Sequence, residues 1–156
     1  SLLLTAGSVV YEYGEGRYEA EASISQQISD QCYEQLQGTQ EISSLSVHVS
    51  LNGGSRDLPQ TYQDLRAYDD VHIDVRLVGQ DADAQAFAQR CKAISDRLDT
   101  GNLSLLSVSF YAGNLVNGQA EYDLTIHDRF QKELSAEQLA ELVDVTQPEP
   151  DEEGTV

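Results

Sequence analysis

Residues 43–51 read SSLSVHVSL. Leu45, Val47, Val49 and Leu51 fall on one side of an extended chain, with Ser44, Ser46, His48 and Ser50 on the other. Successive side chains of a strand point to opposite faces, so this alternation predicts a strand buried on one face and wet on the other. The pattern recurs along the chain. Residues 71–77 set Val71, Ile73, Val75 and Leu77 against His72, Asp74 and Arg76. Residues 104–112 set Leu106, Val108, Phe110 and Ala112 against Ser107, Ser109 and Tyr111. Residues 120–127 set Tyr122, Leu124 and Ile126 against Asp123, Thr125 and His127. Such half-buried strands belong to a mainly antiparallel sheet covered on one side.

Helical patterns lie between the strands. Ile24, Ile28, Cys32 and Leu36 repeat every four residues, with Ser23 and Gln26 placed as a capping box and Gly38 as a stop. Ala84, Phe87, Ala88, Cys91, Ile94 and Leu98 make a second stripe, with Asp81 or Asp83 as cap and Gly101 beyond the end. A third helix starts at Ser135, where Gln138 completes a capping box, and is expected to bury Leu139, Leu142 and Val143. Upstream, VVYEYGEGRYEAEA (9–22) reads as a hairpin turning at Gly14-Glu15-Gly16. The order is then β-β-α three times, with units starting near residues 8, 43 and 103. The expected fold is α+β, a mainly antiparallel sheet built from ββα-type units with helices packed on one face.

The chain has 156 residues, 27 acids and 9 bases, for a formal charge of −18. That length suits one domain, expected over residues 1–146. Residues 133–156 carry eight of the acids and no Lys or Arg. Their last ten, QPEPDEEGTV (147–156), hold too little apolar surface to offset the entropy of ordering and read as a disordered acidic tail. The charge excludes a general nucleic-acid binder, which needs clustered Lys and Arg, and opposes docking on an anionic membrane surface. No apolar run approaches the roughly 20 residues that span a bilayer. The opening SLLLTAGSVV reads as the end of a signal or anchor segment, or as a buried first strand. This apolar start, the scarcity of lysine and the acidity favour a secreted or membrane-anchored bacterial protein. The alternative is a cytoplasmic one.

Familiar chemical motifs are incomplete. Gly14-Glu15-Gly16 begins like a dinucleotide fingerprint, but Glu19 stands where the third glycine belongs. Asp81-Ala82-Asp83 begins like a calcium loop, but Gln85, Ala86 and Lys92 occupy its later positions. Cys32 and Cys91 have no metal or redox spacing; they read as small buried hydrophobes, or as one disulfide between neighbouring helices. No cofactor is implied.

Two regions remain as candidate sites. Residues 52–69, NGGSRDLPQTYQDLRAYD, are long for a hairpin loop. Asp57 could cap a short helix with Pro59 in its first turn and Leu58, Tyr62 and Leu65 facing inward. The same stretch gathers Arg56, Arg66, Tyr62 and Tyr68, which suits a recognition loop. On the strands' polar faces, His48, His72 and His127 lie close to acids, and His48 would touch Asp74 if their strands are neighbours. The expected function is a non-catalytic interaction or structural module that binds another protein or a second copy. Its contact surface would be Ser44, Ser46, His48, Asp74, Ser107, Ser109 and Tyr111, together with the loop. The alternative is a metal-dependent hydrolase-like enzyme using the three histidines, which requires them to converge.

Overall fold

All four alternating stretches form strands. The computed structural model describes residues 2–39, 41–52, 57–98, 106–127 and 131–149, with side chains from residue 16 onward. The elements run α1 (Leu2–Gln35), β1 (Ile42–Ser50), β2 (Asp70–Leu77), α2 (Ala84–Arg97), β3 (Leu106–Ala112), β4 (Glu121–His127), α3 (Ala136–Ala140) and β5 (Asp144–Thr146). Short 3-10 turns lie at Tyr62–Asp64 and Leu115–Asn117. The strands form one sheet in the order β1-β2-β3-β4-β5. β1–β2, β3–β4 and β4–β5 pair antiparallel, and β2–β3 pair parallel. The fold is α+β with a mostly antiparallel, mixed sheet.

The apolar side of the alternation becomes the core. Val71, Ile73, Val75, Phe110, Ala112, Leu124 and Ile126 are all buried on one face. Helices cover that face: Ile24, Ile28, Cys32 and Leu36 from α1, Phe87, Ala88, Cys91 and Ile94 from α2, and Leu139 from α3 join the same cluster. The Phe87 and Tyr122 rings stack with centroids 5.4 Å apart, fixing α2 over β4. Asp83 caps α2 by accepting from the Ala86 N–H at 2.8 Å. Ser135 and Gln138 form the capping box of α3.

The N-terminal hairpin and the buried first strand are corrected. α1 runs unbroken through Gly14-Glu15-Gly16, so Ser23 lies inside a helix and its hydroxyl accepts from Gln27 Nε2. The apolar stripe begins one turn earlier than the proposed cap, at Ala20, which packs against the core. A helix already docked at residue 20 leaves Ser23 no free N-terminus to cap. Glycine inside a helix costs only about 1 kcal/mol each relative to alanine, and a packed stripe outweighs that. Gly38, at φ 84°, does end this segment.

Two ββα units therefore remain, β1–β2–α2 and β3–β4–α3. β1 and β3 run in opposite directions with their helices on the same sheet face. No rotation superposes such units, so the repeat is one of element order alone. A second correction concerns the C-terminal side. α3 ends at Ala140, Leu142 is exposed and Val143 half-buried, and the chain returns as β5 along β4. Pairing there satisfies backbone groups that the edge of β4 would otherwise leave open. Residues 150–156 of the expected tail lie outside the described residues.

Cys32 and Cys91 are both buried and unbridged. Burial pushes the Cys32 thiol up to about 11. Burial and then the Asp81 charge push Cys91 further in the same direction. Deep burial in an apolar helix–sheet interface keeps both as inert, protonated thiols.

Beside Cys91, Arg90 and Asp81 form an ion pair with side chains only 10% and 5% exposed. The Arg90 Nε and Nη1 groups are buried without a partner among the described residues. Asp81→Ala should destabilise the fold by about 3–5 kcal/mol, because it strands a buried cation. The double variant Asp81→Ala/Arg90→Met should recover most of that loss in urea unfolding. Phe110→Ala, deep in the sheet core, should cost about 3–5 kcal/mol by the same measurement.

Candidate functional site

Among the described residues no element covers the polar side of the alternation, which falls into cross-strand rows. His48, His72, Ser107 and His127 stand side by side across β1–β4. Ser46, Asp74, Ser109 and Thr125 form the next row. Ser44, Arg76, Tyr111, Asp123 and Asp144 form the third, which continues onto β5.

Side chains within and between these rows bond to one another. Asp74 sits between two imidazoles, 3.5 Å from His48 Nε2 and 3.0 Å from His72 Nε2. His48 and Asp74 therefore meet, diagonally, as expected of neighbouring strands. The other His72 nitrogen, Nδ1, lies 2.6 Å from Ser107 Oγ. With Asp74 as acceptor, Nε2 carries the proton and Ser107 donates to Nδ1. Ser109 and Thr125 share a hydrogen bond of 2.8 Å. Arg76 lies over the Tyr111 ring, 5.1 Å from its centroid.

The third histidine does not join its companions. His127 lies beyond Ser107, two strands from His72, or about 9–10 Å at ordinary strand spacing. Among the described residues, no group of three or more His, Cys, Asp and Glu side chains could hold a metal ion. The Ser107–His72–Asp74 chain has the polarity of a base-activated hydroxyl. However, β3 is paired on both sides, so its N–H groups belong to the ladder and are not free to bind an oxyanion.

At the far edge, Asp123 pairs directly with Asp144. Burial, then the charges of Asp144 and Glu121, raise the Asp123 carboxyl above its ordinary value, with Arg76 opposing. The Tyr111 phenol is raised too, first by its hydrogen bond to Glu121 and then by burial.

The loop over residues 52–69 is built inward. Leu58, Tyr62 and Leu65 pack against the core, as the short-helix reading expects. The helical turn itself starts later, at Tyr62 after Thr61 at the N-cap position, and Asp57 and buried Pro59 lie ahead of it. Gln27 of α1 clamps the turn, donating to the Gln60 carbonyl at 3.0 Å and accepting from the Tyr62 N–H at 3.1 Å. Arg66 donates through Nε to Asp69 at 3.0 Å and through Nη2 to the Asn52 carbonyl at 3.0 Å. Its guanidinium also stacks on Tyr68, 4.8 Å from the ring centroid. Arg66 and Tyr68 thus close the loop on itself, and Arg56 lies outside the described residues. Sequence reading missed Asp69, whose buried carboxylate holds this closure. Its only signal was an acid three residues after an arginine.

Burial pushes the Asp69 carboxyl up, but hydrogen bonds from the Arg66 side chain and the Arg66 and Asn52 N–H groups outweigh it. The net effect holds it below its ordinary value. An acid held low in the fold stabilises it in the ionised form. That stabilisation is full above the ordinary value of 3.8 and is lost as pH falls through the lowered one. Asp69→Ala should cost about 1.5–3 kcal/mol near neutral pH, and its deficit against the parent protein should shrink on acidification below that value. Across the sheet, Asp144→Lys should stabilise by about 0.2–1 kcal/mol by removing the like-charge pair. Thermal melts read both effects.

Comparison of the chain with protein-family models, with curated proteins and with solved structures finds no match.

Proposed function

We propose that the chain is a non-catalytic protein-interaction module whose contact surface is the open face of the sheet. One observation carries this reading: every described helix that packs on the sheet covers the same face, and the other presents ordered polar rows. Short side chains at Ser46, Ser107, Ser109 and Thr125 let a partner surface approach closely. The Ser109–Thr125 and Ser107–His72 hydrogen bonds restrict rotamers that binding would otherwise have to freeze. A charge of −18 favours basic partners and repels nucleic acid and anionic lipid surfaces. A secreted or membrane-anchored setting belongs to the same proposal.

The reading is tested by reversing charge on the open face. Asp74→Lys/Asp123→Lys leaves the core untouched; losing the Asp74–His72 bond and relieving the Asp123–Asp144 repulsion act in opposite directions, so stability should change by about 1.5 kcal/mol at most. Proteins captured by the immobilised parent chain should fall at least roughly tenfold with this variant, the loss expected when close charge complementarity is reversed. Capture of the same proteins in equal amounts by both, or of none by either, would sink the proposal.

A further inference from the structure

The two edges of the sheet differ. The β4 side is closed by β5, whereas β1 pairs only with β2 among the described residues. Beside β1 runs a groove of about 590 Å³, between Val47–Ser50 and one flank of α1. That flank presents Tyr18, Glu21, Ala22, Ser25, Gln26 and Ser29 at helical spacing.

The peptide groups of β1 can be assigned a direction. In an antiparallel pair they point alternately to the partner strand and away from it. The Asn52 N–H turns toward the β2 side, donating to Asp69 at 2.9 Å. The Leu51 N–H turns the other way, donating to Glu21 at 3.0 Å, and the Leu45 carbonyl accepts from the Tyr33 hydroxyl at 3.3 Å. Beyond the irregularity at Ile42–Ser44, the odd-numbered residues Leu45, Val47 and Val49 therefore face the free edge. Side chains of α1 satisfy the outward groups at both ends of the strand. Between them, the N–H and C=O groups of Val47 and Val49 face the groove with no partner among the described residues.

Resting on the reading of the chain as an interaction module, we propose that this edge receives an extended basic segment of a partner protein. The segment adds to the sheet beside β1. Its backbone pairs with Val47 and Val49, and main-chain bonds of this kind supply affinity. Residues opposite Val47 and Val49 turn toward α1, where Ala22, Ser25 and Ser29 leave room for branched apolar side chains. The alternate residues extend the row beyond His48 on the open face, near Asp74. Charge selects the occupant. From residue 16 onward α1 carries Glu19, Glu21, Asp30 and Glu34 against Arg17 alone, and Gln26 of the groove holds Asp30 with a 2.7 Å bond. A second copy would bring another −18 charges to the same place.

The probe is a fluorescein-labelled peptide of sequence Lys-Val-Lys-Val-Lys-Val-Lys, followed by anisotropy with the whole chain. Its counterpart with Glu in place of Lys should bind at least roughly tenfold more weakly. Val47→Pro removes an outward N–H without touching the β2 ladder, a placement that edge strands tolerate. It should weaken binding by roughly two- to tenfold, the worth of one hydrogen bond. Ser25→Trp fills the groove from the helix side and should abolish binding, and it keeps the test decisive if the proline variant does not fold. Absence of binding at about 1 mM peptide, equal binding of the Glu peptide, or indifference to Ser25→Trp would each overturn the proposal. Loss of binding in Asp74→Lys/Asp123→Lys with indifference to Ser25→Trp would put the peptide on the open face. That result sinks the groove and leaves the interaction reading standing. A peptide-free dimer that Val47→Pro dissociates would give the edge to a second copy, and likewise overturn the basic segment as occupant.

Discussion

The parallel pairing of β2 with β3 is the constraint from which the rest of the fold follows. Two adjacent strands that run the same way cannot be joined by a tight turn. The chain must cross back over the sheet, and α2 makes that crossing over the Val-, Ile- and Phe-rich face. With α2 in place, α1 docks along β1 and α3 beside α2, so the apolar surface closes on one side only. The same pairing sets His72 beside Ser107 and Asp74 beside Ser109. An antiparallel neighbour in place of β3 would have given different rows and different bonds.

A second theme is the use of the few cations. Arg66 closes the 52–69 loop, and Arg90 is buried against Asp81. Arg97 bonds to Thr39 and to the Gln37 carbonyl, tying the end of α2 to the end of α1. Both lysines donate to main-chain carbonyls, Lys92 to Lys132 and Lys132 to Leu98. Bases used this way serve as internal clamps, and most of the acids have no base left to pair with. The exterior is correspondingly anionic, as a partner of either the open face or the β1 edge would meet it.

Much of this was legible in short-range pattern. The four long strands were readable because alternation over seven to nine residues admits little else. α2 was readable from its stripe and its Asp83 cap, and α3 from its Ser135–Gln138 box. The first half of α1 was not, because glycines in helices and in turns look alike until the packing of Ala20 is known. β5 was not, because three exposed residues carry no periodicity and form a strand only where an open edge accepts them. At the site, His48 and Asp74 were legible as neighbours on an assumed pairing of β1 with β2. The separation of His127 from the other histidines was not, since it depends on strand order.

Sequence alone determined which face of each of the four long strands is buried and which is wet, because side-chain period follows directly from backbone geometry. It also determined the sign and size of the charge. Tertiary structure decided what touches what. It brought Arg66 and Tyr68 into a loop closure, because Asp69 is buried within reach of both Arg66 and Asn52. It placed the flank of α1 beside the edge of β1 that has no partner strand among the described residues, with the i+4 stripe of α1 in the core. Strand order, register and helix docking are contacts between residues distant in the chain, and no local pattern encodes them.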